Sequence, residues 1–183
     1  MTTPQPSDRA RSEAPHADER ASDPDYPQTT IAAGFEVRVQ HQPIDIQSEI
    51  MPITRNPNVG AMVNFLGVVR HSGDFDDVVA LELEHYPGMA EQSFSSIVEE
   101  AIARWHLEAV KIVHRVGRVA LGDAVVLVVV AAPHRGAAFD ACEFLMDFLK
   151  AHAPLWKKEI RRDGALRWVE ANTRDEQSML RWG

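Results

Sequence analysis

Ala124-Val125-Val126-Leu127-Val128-Val129-Val130-Ala131-Ala132, closed by Pro133 and followed by His134-Arg135, is the most apolar run in the chain. Nine residues bounded by turn and breaker signals, five of them Val, read as a fully buried central strand. The run is far too short to cross a bilayer as a helix. Beyond Pro133 the continuous apolar run gives way to a period of 3.6. Ala138, Ala141, Cys142, Leu145 and Leu149 form an apolar stripe on a helix expected from about Ala137 to Ala151, ended by Pro154.

Upstream, Leu121-Gly122-Asp123 reads as a tight turn and Val110 to Val116 as a second strand. Phe94, Ile97, Val98, Ala101, Ile102 and Trp105 repeat at i, i+3, i+4, with Glu99, Glu100 and Arg104 on the opposite face, so a second amphipathic helix is expected there. Val78 to Tyr86 is expected as a strand closed by Pro87-Gly88, and Ala61 to Val69 as a buried strand ending at Arg70. His71-Ser72-Gly73-Asp74 is turn chemistry between them. Glu36 to Gln40 alternates as a half-buried strand, Ile44 to Met51 suits a short helix, and Trp156 to Glu170 holds at least one strand, Leu166 to Glu170. The last ten residues are expected to be helical or frayed. Mixed helices and strands with tight antiparallel turns predict a single α+β domain over residues 34–183.

Residues 1–33 contain no Val, Leu, Phe or Trp and five of the eleven prolines, so they are expected to be a disordered tail. A secretory signal or an acid-poor mitochondrial presequence does not fit that composition, and a cytoplasmic location is expected. Of the formal charge of −8 the tail carries −3, leaving −5 on the folded part. That balance argues against a nucleic-acid surface but leaves room for a local basic pocket. The one cysteine, Cys142, excludes an internal disulfide and a CxxC motif; on an apolar stripe it is expected to be core. No HExxH spacing, phosphate loop or GxSxG elbow occurs, so neither a metal site nor a cofactor is expected.

Four features could carry chemistry. His134-Arg135 precedes a helix, where open backbone N–H groups favour an anion; the same pair also suits a solvated turn. Lys150 lies in the last turn of its helix, where the dipole alone favours a cation. The bend Pro154-Leu155-Trp156 could nevertheless return Lys157 towards it, and a lysine beside apolar surface and another cation can serve as acid, base or nucleophile. Arg70 ends a strand, a common position for a binding residue or for a merely exposed one. His85 alternates with Leu83 and Leu81 and suits a half-buried structural histidine.

Read together, Phe65-Leu66-Gly67-Val68-Val69-Arg70, Glu84-His85-Tyr86-Pro87-Gly88-Met89-Ala90-Glu91, His114-Arg115-Val116-Gly117, Pro133-His134-Arg135, Met146-Asp147-Phe148-Leu149-Lys150, Ala153-Pro154-Leu155-Trp156-Lys157-Lys158-Glu159 and Trp168-Val169-Glu170-Ala171 resemble, in order, the large subunit of molybdopterin synthase. The resemblance spans residues 35–183. It implies an α/β hammerhead fold and a homodimer within a heterotetramer. A small ubiquitin-like sulfur-carrier subunit, ending in a Gly-Gly thiocarboxylate, would bind at each end. The implied reaction is sulfurtransferase chemistry in molybdenum cofactor biosynthesis. Two sulfurs pass to cyclic pyranopterin monophosphate and form the dithiolene of molybdopterin. Lys150 and Lys157 match the family's catalytic lysines, and Arg70, His134 and Arg135 its substrate-binding residues, partly across the dimer interface. Asn172 stands where some relatives carry a basic residue, a departure at the far wall of the pocket. The alternative is a non-catalytic paralogue that binds the partner without turnover; the intact lysines argue against it.

Overall fold

The computed structural model describes residues 29–32, 34–71, 77–169, 178 and 180–182. Among the described residues nine strands run β1 Thr29–Ala32, β2 Phe35–Gln40, β3 Ala61–Val68, β4 Val78–His85, β5 Ala109–Arg115, β6 Gly117–Ala120, β7 Ala124–Ala132, β8 Leu155–Arg161 and β9 Leu166–Trp168. The helices are α1 Ile46–Ile50, α2 Met89–Arg104 and α3 Arg135–His152, with one 3₁₀ turn at Ile53–Arg55. A five-stranded sheet has the order β1-β2-β5-β7-β3 and a four-stranded sheet the order β6-β4-β8-β9. All pairs are antiparallel except β2 with β5. The chain is a mixed α+β domain, as its pattern predicts.

Why β7 is apolar without alternation follows from its position. Val126, Val128, Val130 and Ala132 belong to the core under α2 and α3. Leu127 and Val129 join Val113 in a second cluster packed by Ile44, Ile50, Ile53 and Met62 from the α1 side. Both faces are therefore dry. Each fully buried Val contributes about 1.5–3 kcal/mol of transfer free energy, which makes β7 the strongest single contributor in the sheet. On the α1 side the charges are paired: Glu49 of α1 binds Arg38 and, at 2.7 Å, Lys111, which also reaches Glu36 at 3.1 Å.

Four expectations change. Ala61 to Val69 is expected as a buried strand, yet β3 forms the edge of its sheet, with Val68 45% exposed and Phe65 and Leu66 part-exposed. Apolar content alone does not tell a central strand from an edge strand. Second, the expected tail loses its last ordered residues: Thr29–Ala32 pairs antiparallel with β2 through Gly34, whose φ is +89°. Threonine and isoleucine favour extended backbone, and the β2 edge supplies the hydrogen bonds; residues 1–28 lie outside the described residues. Third, the strand expected from Leu166 to Glu170 covers Leu166–Trp168, with Glu170 outside the described residues, and β8 forms beside it. Residues 72–76, which include most of the turn after His71, and 170–177, which include Asn172, are also outside.

The fourth change is at the C-terminus, where Trp182 docks on the core. Its ring stands edge-on to Phe144 at 5.5 Å and to Trp105 at 6.0 Å. Its Nε1–H donates to Asp147 Oδ2 at 2.8 Å, and its carbonyl accepts from Arg104 at 2.7 Å. This clasp ties α2 to α3. Trp182→Ala should lower unfolding free energy by about 2–3 kcal/mol, less than for a fully buried Trp because one side of the ring is open. Urea unfolding reads the change; an unaltered midpoint would show that the clasp lies outside the cooperative unit.

Candidate active site

The site is built at the corner where the two sheets meet. β5 ends at Arg115 and β6 begins at Gly117, whose φ is +72° and whose added Cβ would lie 2.6 Å from the His41 ring. Only glycine makes that turn without displacing His41. In the second sheet, Leu83 of β4 lies opposite Gly117 on one side and Lys157 of β8 on the other, while His85 faces Leu155. Leu83, His85, Leu155 and Lys157 thus share one face of the second sheet, and that face meets the end of β5.

His114 occupies that end. It pairs with Val39 and Val126, is 7% exposed, and its ring lies 6.2 Å from Phe94. Its Nδ1 is 2.8 Å from the carbonyl oxygen of Arg115. A carbonyl can only accept, so Nδ1 carries the proton and a neutral ring leaves Nε2 as a lone-pair acceptor. Burial pushes the imidazole down to about 4; the Arg115 carbonyl opposes this, while Lys157, His85 and Lys150 push it further down. Lys150 and Lys157 therefore act on one common neighbour, although one comes from α3 and the other from β8. The bend between them is tight: Ala153 is extended, and Leu155 N–H donates to its carbonyl at 2.7 Å.

His85 is half-buried, as its alternation predicts. Burial lowers its basicity, Glu91 opposes that, and His41 adds to it. Glu91 is itself buried. Its Oε2 accepts from Gly88 N–H at 2.9 Å, and its Oε1 has no hydrogen-bond partner among the described residues. Cys142 is core, and burial followed by the Glu143 charge pushes its thiol up to about 11. At neutral pH it is not a thiolate nucleophile. Among the described residues no group of three or more His, Cys, Asp or Glu could hold a metal ion.

The remaining candidates divide between the two ends of the sheet. β3 runs antiparallel to β7 with Val68 opposite Ala124 and Ala61 opposite Ala132. Arg70 therefore lies at the Ala124 end, where it is exposed and donates to the His71 carbonyl at 3.2 Å. α3 leaves the Ala132 end and returns across β7 and β3, so Lys150 comes back to the Arg70 end. His134 and Arg135 stay behind at the other end, exposed, with no side-chain cap on the first turn of α3. Fifteen residues of helix separate Arg135 from Lys150, about 22 Å along the axis. Within one chain, Arg70 and the lysines share an end and His134-Arg135 do not.

Three residues escaped the sequence reading. His114 alternates with Val110 and Ile112, a signal of a buried histidine that does not by itself mark a site residue. Arg115 is 6% exposed and donates to Asp123 at 3.2 Å and to the Ala124 carbonyl at 3.3 Å. Glu159 is 6% exposed on the Lys157 face of β8; no local pattern marks it.

Fold and site define a single-domain α+β protein in which the charges of Lys150 and Lys157 act on one buried histidine, His114. The model of the MoaE protein family matches residues 39–152, which takes in Arg70, His114, His134, Arg135 and Lys150 and stops short of Lys157. The molybdopterin synthase catalytic subunit of Ralstonia nicotianae is 47% identical over 148 residues, 80% of this chain and 84% of that protein. The molybdopterin cofactor biosynthesis protein E of Burkholderia multivorans superposes with a TM-score of 0.67 at 46% identity, covering 80% of this chain and 95% of that one. The molybdopterin synthase crystal structure from Staphylococcus aureus gives 0.66 at 34% identity, covering 72% and 95%. The chain belongs to the MoaE family, that of the molybdopterin synthase catalytic subunits. Among the described residues no helix is long and apolar enough to cross a membrane.

Proposed function

We propose that the chain catalyses sulfur transfer in molybdopterin synthesis. Sulfur comes from the C-terminal thiocarboxylate of a small ubiquitin-like partner and goes to cyclic pyranopterin monophosphate. The convergence of Lys150 and Lys157 on one buried, neutral histidine carries this reading. A pocket with two cations suits a thiocarboxylate and the acyl intermediate that follows it. With the thiol of Cys142 buried and protonated, sulfur must arrive on another molecule. Lys150 holds the thiocarboxylate or acyl group and assists proton transfer, and Lys157 supports it electrostatically. Arg70, His134 and Arg135 bind the pterin and its phosphate. A single chain cannot bring His134-Arg135 to the lysines, so the working unit is a homodimer, with a small subunit at each end.

Mixing the purified chain with thiocarboxylated partner and cyclic pyranopterin monophosphate tests the reading. Dithiolene product should appear as thiocarboxylate is consumed, two per product. Partner binding without consumption would instead identify a docking paralogue.

A further inference from the structure

We propose that Glu13, Asp18 and Glu19 form a built-in competitor for the lysine site: tethered through β1, they contact Arg70 and Lys150 and give way to an anionic ligand. The proposal rests on the lysine site of the proposed function. It goes further by giving that site an occupant from the same chain.

Strand register sets the end of the sheet from which the segment departs. Thr29 of β1 lies opposite Val37 of β2 in an antiparallel pair, so the chain before Thr29 heads for the Gln40 end. Gln40 lies opposite Arg115, which donates to the Ala124 carbonyl, and Ala124 lies opposite Val68. That is the end where Arg70 follows β3 and where α3 returns Lys150. Arg70 is four strand spacings across the sheet from Thr29 and about six residues along it, about 30 Å away. An extended chain covers that distance in about ten residues. Glu19 and Asp18 stand ten and eleven residues before Thr29, so both reach, and Glu13 reaches with length to spare.

Charge points to the same contact. Residues 12–28 hold five acids against one arginine, whereas residues 1–11 hold one acid against two arginines, so the acid is concentrated next to the anchor. Residues 34–183 carry −5, and only a local excess of cations can attract such a segment. Lys111 is paired with Glu49 at 2.7 Å and Lys158 with Glu84. Among the described residues Arg70 and Lys150 are exposed without a carboxylate partner, Arg70 donating only to the His71 carbonyl. A tether of this length keeps the acids at about millimolar effective concentration, so a weak contact is enough to compete with a free anion.

Carbodiimide coupling of the full-length chain joins an ammonium to a carboxylate only where the two touch, and it requires no turnover. The chain has four lysines, and the Lys111–Glu49 and Lys158–Glu84 pairs serve as internal references. In the monomer band of a denaturing gel, Lys150 should be found coupled to Glu13, Asp18 or Glu19. Salt at about 0.5 M should remove that product and spare Lys111–Glu49, because exposed pairs are screened far more than buried ones. Normal Lys111–Glu49 coupling with no Lys150 product would overturn the proposal, whether or not the chain transfers sulfur. Coupling at Lys150 without turnover would uphold the contact and remove the sulfur-transfer reading instead. Where turnover is measured, a chain carrying Glu13→Gln, Asp18→Asn and Glu19→Gln should show a KM for cyclic pyranopterin monophosphate lowered about threefold or more at about 0.02 M salt. Its kcat should be unchanged, and the difference should vanish at about 0.5 M. Equal KM values at low salt, or a difference that persists at high salt, would also overturn it.

Discussion

Lys150→Ala is expected to cut turnover by about 10²–10³-fold, the range for removing one preorganised charge from a developing anion. The fold should survive it. Lys150 is exposed in the last turn of α3, where its interaction with the helix dipole is worth less than about 1 kcal/mol. Activity and stability thus separate at this residue, and a Tm scan beside the turnover assay reads both. Lys150→Arg refines the assignment. It keeps the cation but cannot release a proton near neutral pH. Recovery of most activity by Arg would leave Lys150 a purely electrostatic role, whereas failure of Arg would support proton transfer. Retention of more than about a tenth of wild-type turnover by Lys150→Ala would remove this lysine from the chemical step.

How much of this was legible beforehand depends on the range of the interaction. β7, α2 and α3 follow from short-range periodicity, because a strand buried on both faces and a helix with one apolar stripe leave different repeats. The edge position of β3 is not written in its own residues. It depends on which strand takes the far side of β7, a long-range choice. The four-residue strand β6 is too short for a period to show, and the docking of Trp182 joins residues 35 positions apart through Asp147. The lysine pair was legible because a proline bend joins its members. The stretch from His134 to Lys157 reads as one locus only along the chain. In space the helix that makes Lys150 return to Arg70 carries His134 away from both.

That separation leads to a second large effect, visible only in mixtures. Lys150→Ala and Arg135→Ala should each be nearly inactive alone. If every site takes its lysines from one protomer and His134-Arg135 from the other, a dimer of the two variants has one site with both defects and one intact. Random mixing yields about half heterodimers, each at half activity, so co-refolded protein should regain about a quarter of wild-type turnover. A third variant makes the geometry decisive. Arg70 lies at the lysine end of its own chain, so a Lys150→Ala and Arg70→Ala mixture places one defect in each site and should stay inactive. Rescue of the first pair and silence of the second require the end-to-end division set by the Val68–Ala124 and Ala61–Ala132 register and the length of α3. No rescue in the first pair would mean that His134-Arg135 do not reach a partner's lysines. Rescue in the second would place Arg70 across the interface from Lys150, opposite to what the strand register implies. Because both mixtures contain the same Lys150→Ala chain, a general refolding loss would lower them together and could not produce the difference.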